Sequence, residues 1–509
     1  GKNYQRELRA HYRKWLLMPA AMDCQPEPDT DQFVEAYGFR LYRDALDSLQ
    51  AVDLARDASR PASRALVLDS LDPNRSDALA AHYRAQGMEV ERQPFDEYSK
   101  FMMESLDSEI PHEAFKEIER WLTCDADTVV AHAKAAHAAM PHDEMAQDVA
   151  RAGTQAAPAY VAEPGVLETP VWIDGGRMFG IYCQPESHSP GCVPAVLMLN
   201  TGAVTRIGNA RLGVRFARRL ARQGIASLRV DLGGLGDSEP SADAVSLDAL
   251  YAQEGADDAA CAARWLTARG HRGAVVLGIC AGAFVGLHAA SREPAVIGAV
   301  LVNLQKFTWQ NICDETGKPT VAVASFGSTR AYLRSMCEPR KWLRFVRGET
   351  GGWPVARVLA QRFAHRAGAT FAFWIERMSG LRLASNETQR LFATLDARGV
   401  STGLMWGVLD EGVEELERYF GAQGRRMRRY ARISMAFCKH TDHAILSARA
   451  QENVMSYFET FYQQHFHEVV QADTSVAVEP HRMKLGWRQS RASQWLVKRA
   501  RAFRLSGEA

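Results

Sequence analysis

Ala274-Val275-Val276-Leu277-Gly278-Ile279-Cys280-Ala281-Gly282-Ala283-Phe284-Val285-Gly286 decides how this chain is read. A short β-branched apolar run passes straight into Gly-x-Cys-x-Gly and then into a sequence that suits a buried helix. A side chain presented on so tight a strand-to-helix turn sits at strained backbone angles. Its neighbours two residues either side must then lack side chains, which explains Gly278 and Gly282. The turn puts the Cys280 sulfur at a helix N-terminus, where the peptide dipoles favour thiolate. The N–H of Ala281 points at the same place and can stabilise an oxyanion.

Outward from this turn the pattern is regular. Pro170–Ile173 and Met178–Tyr182 predict a hairpin around Gly175-Gly176. Strands are expected at Val196–Leu199, Ala226–Val230, Ala299–Val302, Gly403–Trp406 and Ile433–Ala436. Helices are expected at 212–222, 247–269, 281–291, at about 416–420 and at 448–464. Strands alternating with helices imply an α/β class with a mostly parallel sheet covered on both faces. Residues 305–395 interrupt the rhythm with a helical, aromatic-rich insertion that includes Trp309, Trp342, Trp353 and Trp374.

A thiol nucleophile needs a base and an acid to orient it. In this kind of sheet the chain order is nucleophile, acid, base. Asp410 follows the strand Gly403–Trp406 and is the expected acid, with Glu411 or Glu414 as the alternative. His443 follows the last strand and precedes the last helix, so it is the expected base, with His440 as the alternative. The loop after Val196–Leu199 is Asn200-Thr201-Gly202-Ala203. It should supply the second oxyanion donor from the Thr201 or Ala203 N–H, with Gly202 allowing close approach. Arg206 and Arg211 just beyond it are candidates for an anionic substrate group, and Trp309 for lining an acyl pocket. Asp231–Ser238 is glycine-rich but lacks the lysine of a phosphate-binding loop, and reads as a tight turn.

The N-terminal 1–155 is expected to be an α/β accessory domain. Residues 1–60 read as helical, Phe33–Tyr37 among them. Strand, helix, strand and helix follow over 65–123. A helix and linker are expected over 124–165. A catalytic domain over 156–470 and a basic tail over 471–509 complete the division. The chain has 509 residues, more than one compact core usually takes. Its net charge of +1 offers no basic face for nucleic acid. No apolar run approaches a membrane span, and no secretory leader opens the sequence. The first residue, Gly1, suggests a processed N-terminus. Nine cysteines without paired spacing point to a reducing, cytoplasmic setting rather than a disulfide framework.

Asn200-Thr201-Gly202, Arg206–Arg211, Arg229-Val230-Asp231, Gly236-Asp237-Ser238, Gly278–Gly282 and Asp442-His443 together resemble bacterial α/β-hydrolases. The type is serine-aminopeptidase-like and exosortase-associated, some members of which carry Cys at the turn. The resemblance spans about 165–465 and implies an α/β-hydrolase fold with a helical lid at 305–395. A cysteine turn also looks like that of polyhydroxyalkanoate synthases and dienelactone hydrolases, which the rest of the chain does not follow. Residues 65–123 are similar to the end of such a fold: Asp69 or Asp72 after the strand, then Tyr98-Ser99-Lys100, then a helix ending Trp121-Leu122. The histidine expected there is absent, so a degenerate hydrolase-like unit is one reading and an ordinary accessory domain the other.

Sulfur suggests the reaction. A thiolate forms a thioester acyl-enzyme, and exchange between thioesters is close to thermoneutral. Acyl transfer from a coenzyme A or carrier-protein thioester to an acceptor is therefore the expected activity. Hydrolysis as a thioesterase, esterase or lactonase is the alternative, and a non-catalytic scaffold the third reading. No cofactor or metal is expected. A homodimer is compatible with the sequence.

Overall fold

The computed structural model describes residues 2–16, 24, 26–57, 59–69, 73–102, 109–123, 159–187, 193–240, 253–308 and 387–466. Trp309, Asp72 and the insertion from 309 to 386 lie outside the described residues. So do the expected linker at 124–158 and the tail beyond 466.

Nine strands form the central sheet: β5 (Tyr160–Glu163), β6 (Val166–Ile173), β7 (Met178–Pro185), β8 (Ala195–Met198), β9 (Ser227–Val230), β10 (Ala274–Ile279), β11 (Val296–Val302), β12 (Ser401–Gly407) and β13 (Ile433–Cys438). Their spatial order is β5-β6-β7-β9-β8-β10-β11-β12-β13. From β9 to β13 all neighbours are parallel, whereas β5, β6 and β7 join antiparallel. An antiparallel entry, one swap between β8 and β9, and then consecutive parallel strands make the α/β-hydrolase fold. Strands β8 and β10 are buried throughout, as their unbroken apolar runs require.

Helices cover both faces. Phe216 and Leu220 of α6 (Leu212–Ala221) pack with Phe458 and Tyr462 of α11 (Ala448–Phe466) against one face. The other face receives α7 (Gln253–Ala268), α8 (Ala281–Arg292), α9 (Glu387–Ala397) and α10 (Gly412–Phe420). Because β8 to β13 run parallel, their C-terminal ends share one edge of the sheet, where α/β folds place ligands.

The N-terminal part corrects one expectation. Phe33–Tyr37 is not helical: β1 (Phe33–Ala36) and β2 (Phe39–Tyr42) form an antiparallel hairpin. Tyr37 and Gly38 connect them, both at positive φ (51° and 79°), the geometry a two-residue hairpin turn demands. Around it lie α1 (Lys2–Trp15) and α2 (Arg43–Ala51). The strand-helix-strand-helix reading of 65–123 matches β3 (Arg64–Asp69), α3 (Pro73–Ala85), β4 (Glu89–Pro94) and α5 (His112–Thr123), with the short α4 (Tyr98–Phe101) between. Strands β3 and β4 are parallel and form their own two-stranded sheet over Ala80, Met88 and Val90. Within 124–165, Tyr160–Glu163 is the edge strand β5 rather than linker.

The hairpin packs on the segment that leads into α11. A Cβ on Gly38 would collide with the Leu446 carbonyl. Buried Glu35 accepts a hydrogen bond from the Ala448 N–H at 3.0 Å, satisfying one of the free donors at the start of α11.

Candidate functional site

Cys280 sits between β10 and α8 at φ 55°, ψ −116°, a backbone region that residues with side chains rarely occupy. Both glycines are forced by geometry. A Cβ on Gly278 would strike the Gly282 carbonyl, and one on Gly282 would strike the Asn200 carbonyl. The Cys280 N–H is held by the Val302 carbonyl at 2.9 Å, which ties the turn to β11.

His443 Nε2 lies 3.1 Å from Cys280 Sγ, and His443 Nδ1 lies 2.6 Å from Asp410 Oδ2. The Asp410 side chain is fully buried, and its second oxygen accepts the Gly412 N–H at 2.8 Å at the start of α10. One oxygen is thus fixed by the helix end and the other is aimed at the imidazole. The three expected residues are therefore brought together from the ends of β10, β12 and β13. Glu411 and Glu414 do not take the place of Asp410, and His440 does not take that of His443.

The electrostatics favour a charged pair. Burial works against ionising Cys280. The facing His443, its hydrogen bond and the Ala281 N–H outweigh it, so the thiol lies below its ordinary value. Burial likewise opposes charge on His443, yet the sulfur and Asp410 lift its imidazole well above the ordinary value. Both shifts favour thiolate paired with imidazolium, with the His443 N–H groups then donating to sulfur and to Asp410.

The loop expected to carry the second oxyanion donor meets the turn at Gly282, where the Asn200 carbonyl approaches it. Gly202 is at φ 56°, which it adopts without strain, and the Thr201 carbonyl accepts the Val204 N–H. Ala203 is exposed. Arg206 makes its ion pairs within the protein. Its guanidinium pairs with buried Asp231 and, at 2.6 Å, with Asp237, and stacks over Phe179. That charge is compensated by two carboxylates of the protein. Arg211 is exposed at φ 62° at the N-terminus of α6.

Two buried asparagines escaped the sequence reading as site residues. Asn200, after β8, donates to Asp231 and to the Val204 carbonyl, and accepts from the Leu232 N–H. Asn303, after β11, bonds to the segments carrying Asp410 and His443. Their signal was position: each closes an apolar strand where a buried polar side chain must find partners. Among the described residues no cluster of three His, Cys, Asp or Glu side chains could hold a metal, and no helix is long and apolar enough to cross a membrane.

No family profile and no curated protein matches the sequence. Several solved structures align over most of their own length. A bacterial membrane phospholipase A is 19% identical over 71% of this chain and 100% of its own, with a TM-score of 0.33. An esterase from Pyrococcus furiosus is 12% identical over 61% and 99%, with a TM-score of 0.35. A putative dienelactone hydrolase from Klebsiella pneumoniae is 12% identical over 59% and 99%, with a TM-score of 0.34. Likenesses this distant carry nothing about substrate; the fold assignment stands on the strand order and the Cys280 turn.

Proposed function

We propose that this chain is an α/β-hydrolase-fold enzyme that cleaves acyl esters or thioesters through an acyl-Cys280 intermediate. The observation that carries this reading is the continuous contact from Cys280 Sγ to His443 Nε2 and from His443 Nδ1 to Asp410. The Cys280 thiolate attacks the acyl carbonyl, and the oxyanion forms near the Ala281 N–H and the 201–203 loop. The tetrahedral species collapses, the C–O or C–S bond breaks, and the leaving group takes the proton from His443. Water then gives a proton to His443 and attacks the thioester, which releases the carboxylic acid and the thiolate. Asp410 holds the imidazole in the tautomer these steps need.

A second reading is acyl transfer. Its donor is a coenzyme A or carrier-protein thioester, and its acceptor is an amine, alcohol or thiol in place of water. The specific observation in its favour is sulfur at the nucleophile position, because thioester exchange between donor and enzyme costs little. In this reading the cytoplasm supplies the donor. Residues 1–155 remain an accessory unit beside a catalytic 156–470.

Intact-protein mass spectrometry tests the core of both. Incubation with acyl-coenzyme A or p-nitrophenyl esters should add one acyl mass that Cys280→Ala abolishes. Release of the adduct by water alone indicates a hydrolase, and release only on adding amine, alcohol or thiol acceptors indicates a transferase. Absence of any adduct, with no turnover, would sink the proposal and favour a scaffold.

A further inference from the structure

Asn303 occupies a place the three reacting side chains do not explain. It follows β11 at φ 50°, is 0% exposed, and its N–H donates to the Met405 carbonyl at 2.8 Å. Its side-chain amide spends both donors and its acceptor on two other segments. Oδ1 accepts the Gly407 N–H at 2.9 Å, at the start of the loop that ends in Asp410. Nδ2 donates to the Asp442 carbonyl and to the His443 carbonyl, each at 2.9 Å. The two segments are already in close approach, since a Cβ on Gly407 would collide with the Thr441 carbonyl. Near the Cys280 turn, Val302 just before it accepts the Cys280 N–H.

We infer that Asn303 is the positioning residue of the site: one neutral amide sets the distance between the Asp410 and His443 loops and holds both against the nucleophile turn. The inference rests on the Cys280–His443–Asp410 reading. The choice of residue follows from chemistry. Two carbonyls and one N–H converge on the side chain, and only a primary amide offers two donors and an acceptor at that size. Aspartate would turn a carboxylate oxygen toward two carbonyl oxygens. Leucine would remove all three bonds, leaving the Asp442 carbonyl with the Ile445 N–H alone. A neutral group also holds the imidazole without adding a charge that would shift the thiolate and imidazolium titrations.

The test is the rate of Cys280 alkylation by iodoacetamide against pH, read on Cys280 by mass spectrometry, with folding followed by circular dichroism. The full chain should react with an apparent thiol titration below the free-cysteine value of about 8.5. In Asn303→Ala the alkylation rate near pH 6 should fall ~10-fold or more, because one unit of thiol pKa is a tenfold change in thiolate fraction there. The high-pH plateau should stay within about twofold, since a fully ionised thiol no longer needs the imidazole. Asn303→Ser keeps one donor and should fall between the two; if the alanine variant does not fold, the serine profile decides. A folded variant with the wild-type profile overturns the inference and leaves the triad reading intact. A wild-type profile like that of a free thiol overturns the triad reading itself, and the inference with it. A loss that is equal at every pH shows a merely structural role and also overturns the inference.

Discussion

The two loops that flank the nucleophile turn are anchored by opposite chemistry. On the β8 side, Asn200 and Arg206 converge on the buried Asp231 carboxylate, so a cation and an anion cancel one another beneath the 201–203 loop. On the β12–β13 side, Asn303 holds the backbone with neutral donors, and the Asp442 carboxylate accepts the N–H groups of Leu446 and Ser447. Burial lifts the Asp442 carboxyl above its ordinary value, against the pull of those N–H groups. The difference teaches where charge can be tolerated. Beside an imidazole whose protonation matters, Cys280 and Asp410 are the charges that raise it, and the Asn303 amide adds none. Beneath the 201–203 loop, whose proposed part is only to present N–H groups, an ion pair does no harm to the proposed chemistry.

Asp410→Asn should break this contrast most severely. It keeps the size of the side chain but removes the charge that fixes the imidazole. Turnover of a p-nitrophenyl ester is expected to fall by ~10⁴-fold, as in other triads that lose their acid. The sign of the pH effect follows from His443. Its imidazolium is held up partly by Asp410. Without that carboxylate the imidazole loses its proton at lower pH, and the upper edge of the thiolate–imidazolium window moves down. A pH profile of the residual thioester turnover, which needs the imidazolium as acid, with its upper limb unmoved would show that Asp410 is not the orienting acid.

Asp231→Asn probes the other side and should separate stability from chemistry. It strips the buried partner from Arg206 and leaves only Asp237, whose side chain is 60% exposed. Breaking a buried pair typically costs ~3–5 kcal/mol, measurable as a drop in the urea midpoint. Turnover should fall by ~10-fold as the oxyanion loop loosens. The Cys280 alkylation profile should stay where it is. A shift in that profile as large as the one expected for Asn303→Ala would erase the distinction between the two loops.

How much of this was legible in the sequence differs between the two halves of the chain. The Cys280 turn, the alternating strands and helices, and the order of Cys280, Asp410 and His443 were readable because each rests on local chemistry. A turn needs its glycines, a buried parallel strand needs an unbroken apolar run, and the base loop must follow the last strand. Phe33–Tyr37 misled because five residues are too few to distinguish periods of two and 3.6, and the hairpin signal lay in Tyr37-Gly38. Arg206 stayed open between a substrate-facing and a structural role because an arginine near a candidate site says nothing of the carboxylate it will meet, and Asp231 lies on a different strand end. Asn200 and Asn303 were illegible as partners because their hydrogen bonds cross from one strand end to another. Only the sheet order makes those segments neighbours.

The smallest expected effect concerns the hairpin that the sequence reading mistook for a helix. Glu35 Oε1 accepts the Ala448 N–H at the start of α11, and its other oxygen accepts from the Glu27 N–H. It thus acts as an N-terminal cap supplied from elsewhere in the chain. A negative charge at that helix end is favoured by the peptide dipoles. Glu35→Gln keeps an acceptor but removes the charge, so it should cost about 1 kcal/mol, within the range for lost helix caps. Urea denaturation followed by circular dichroism reads that loss. His443 lies five residues before the capped Ala448 and is already fixed through its own carbonyl by Asn303, so the Cys280 alkylation profile should not move. If Glu35→Gln shifts the thiol titration as well, the base loop is held from the N-terminal hairpin as much as from β11. The amide at Asn303 would then be one of two anchors on that side.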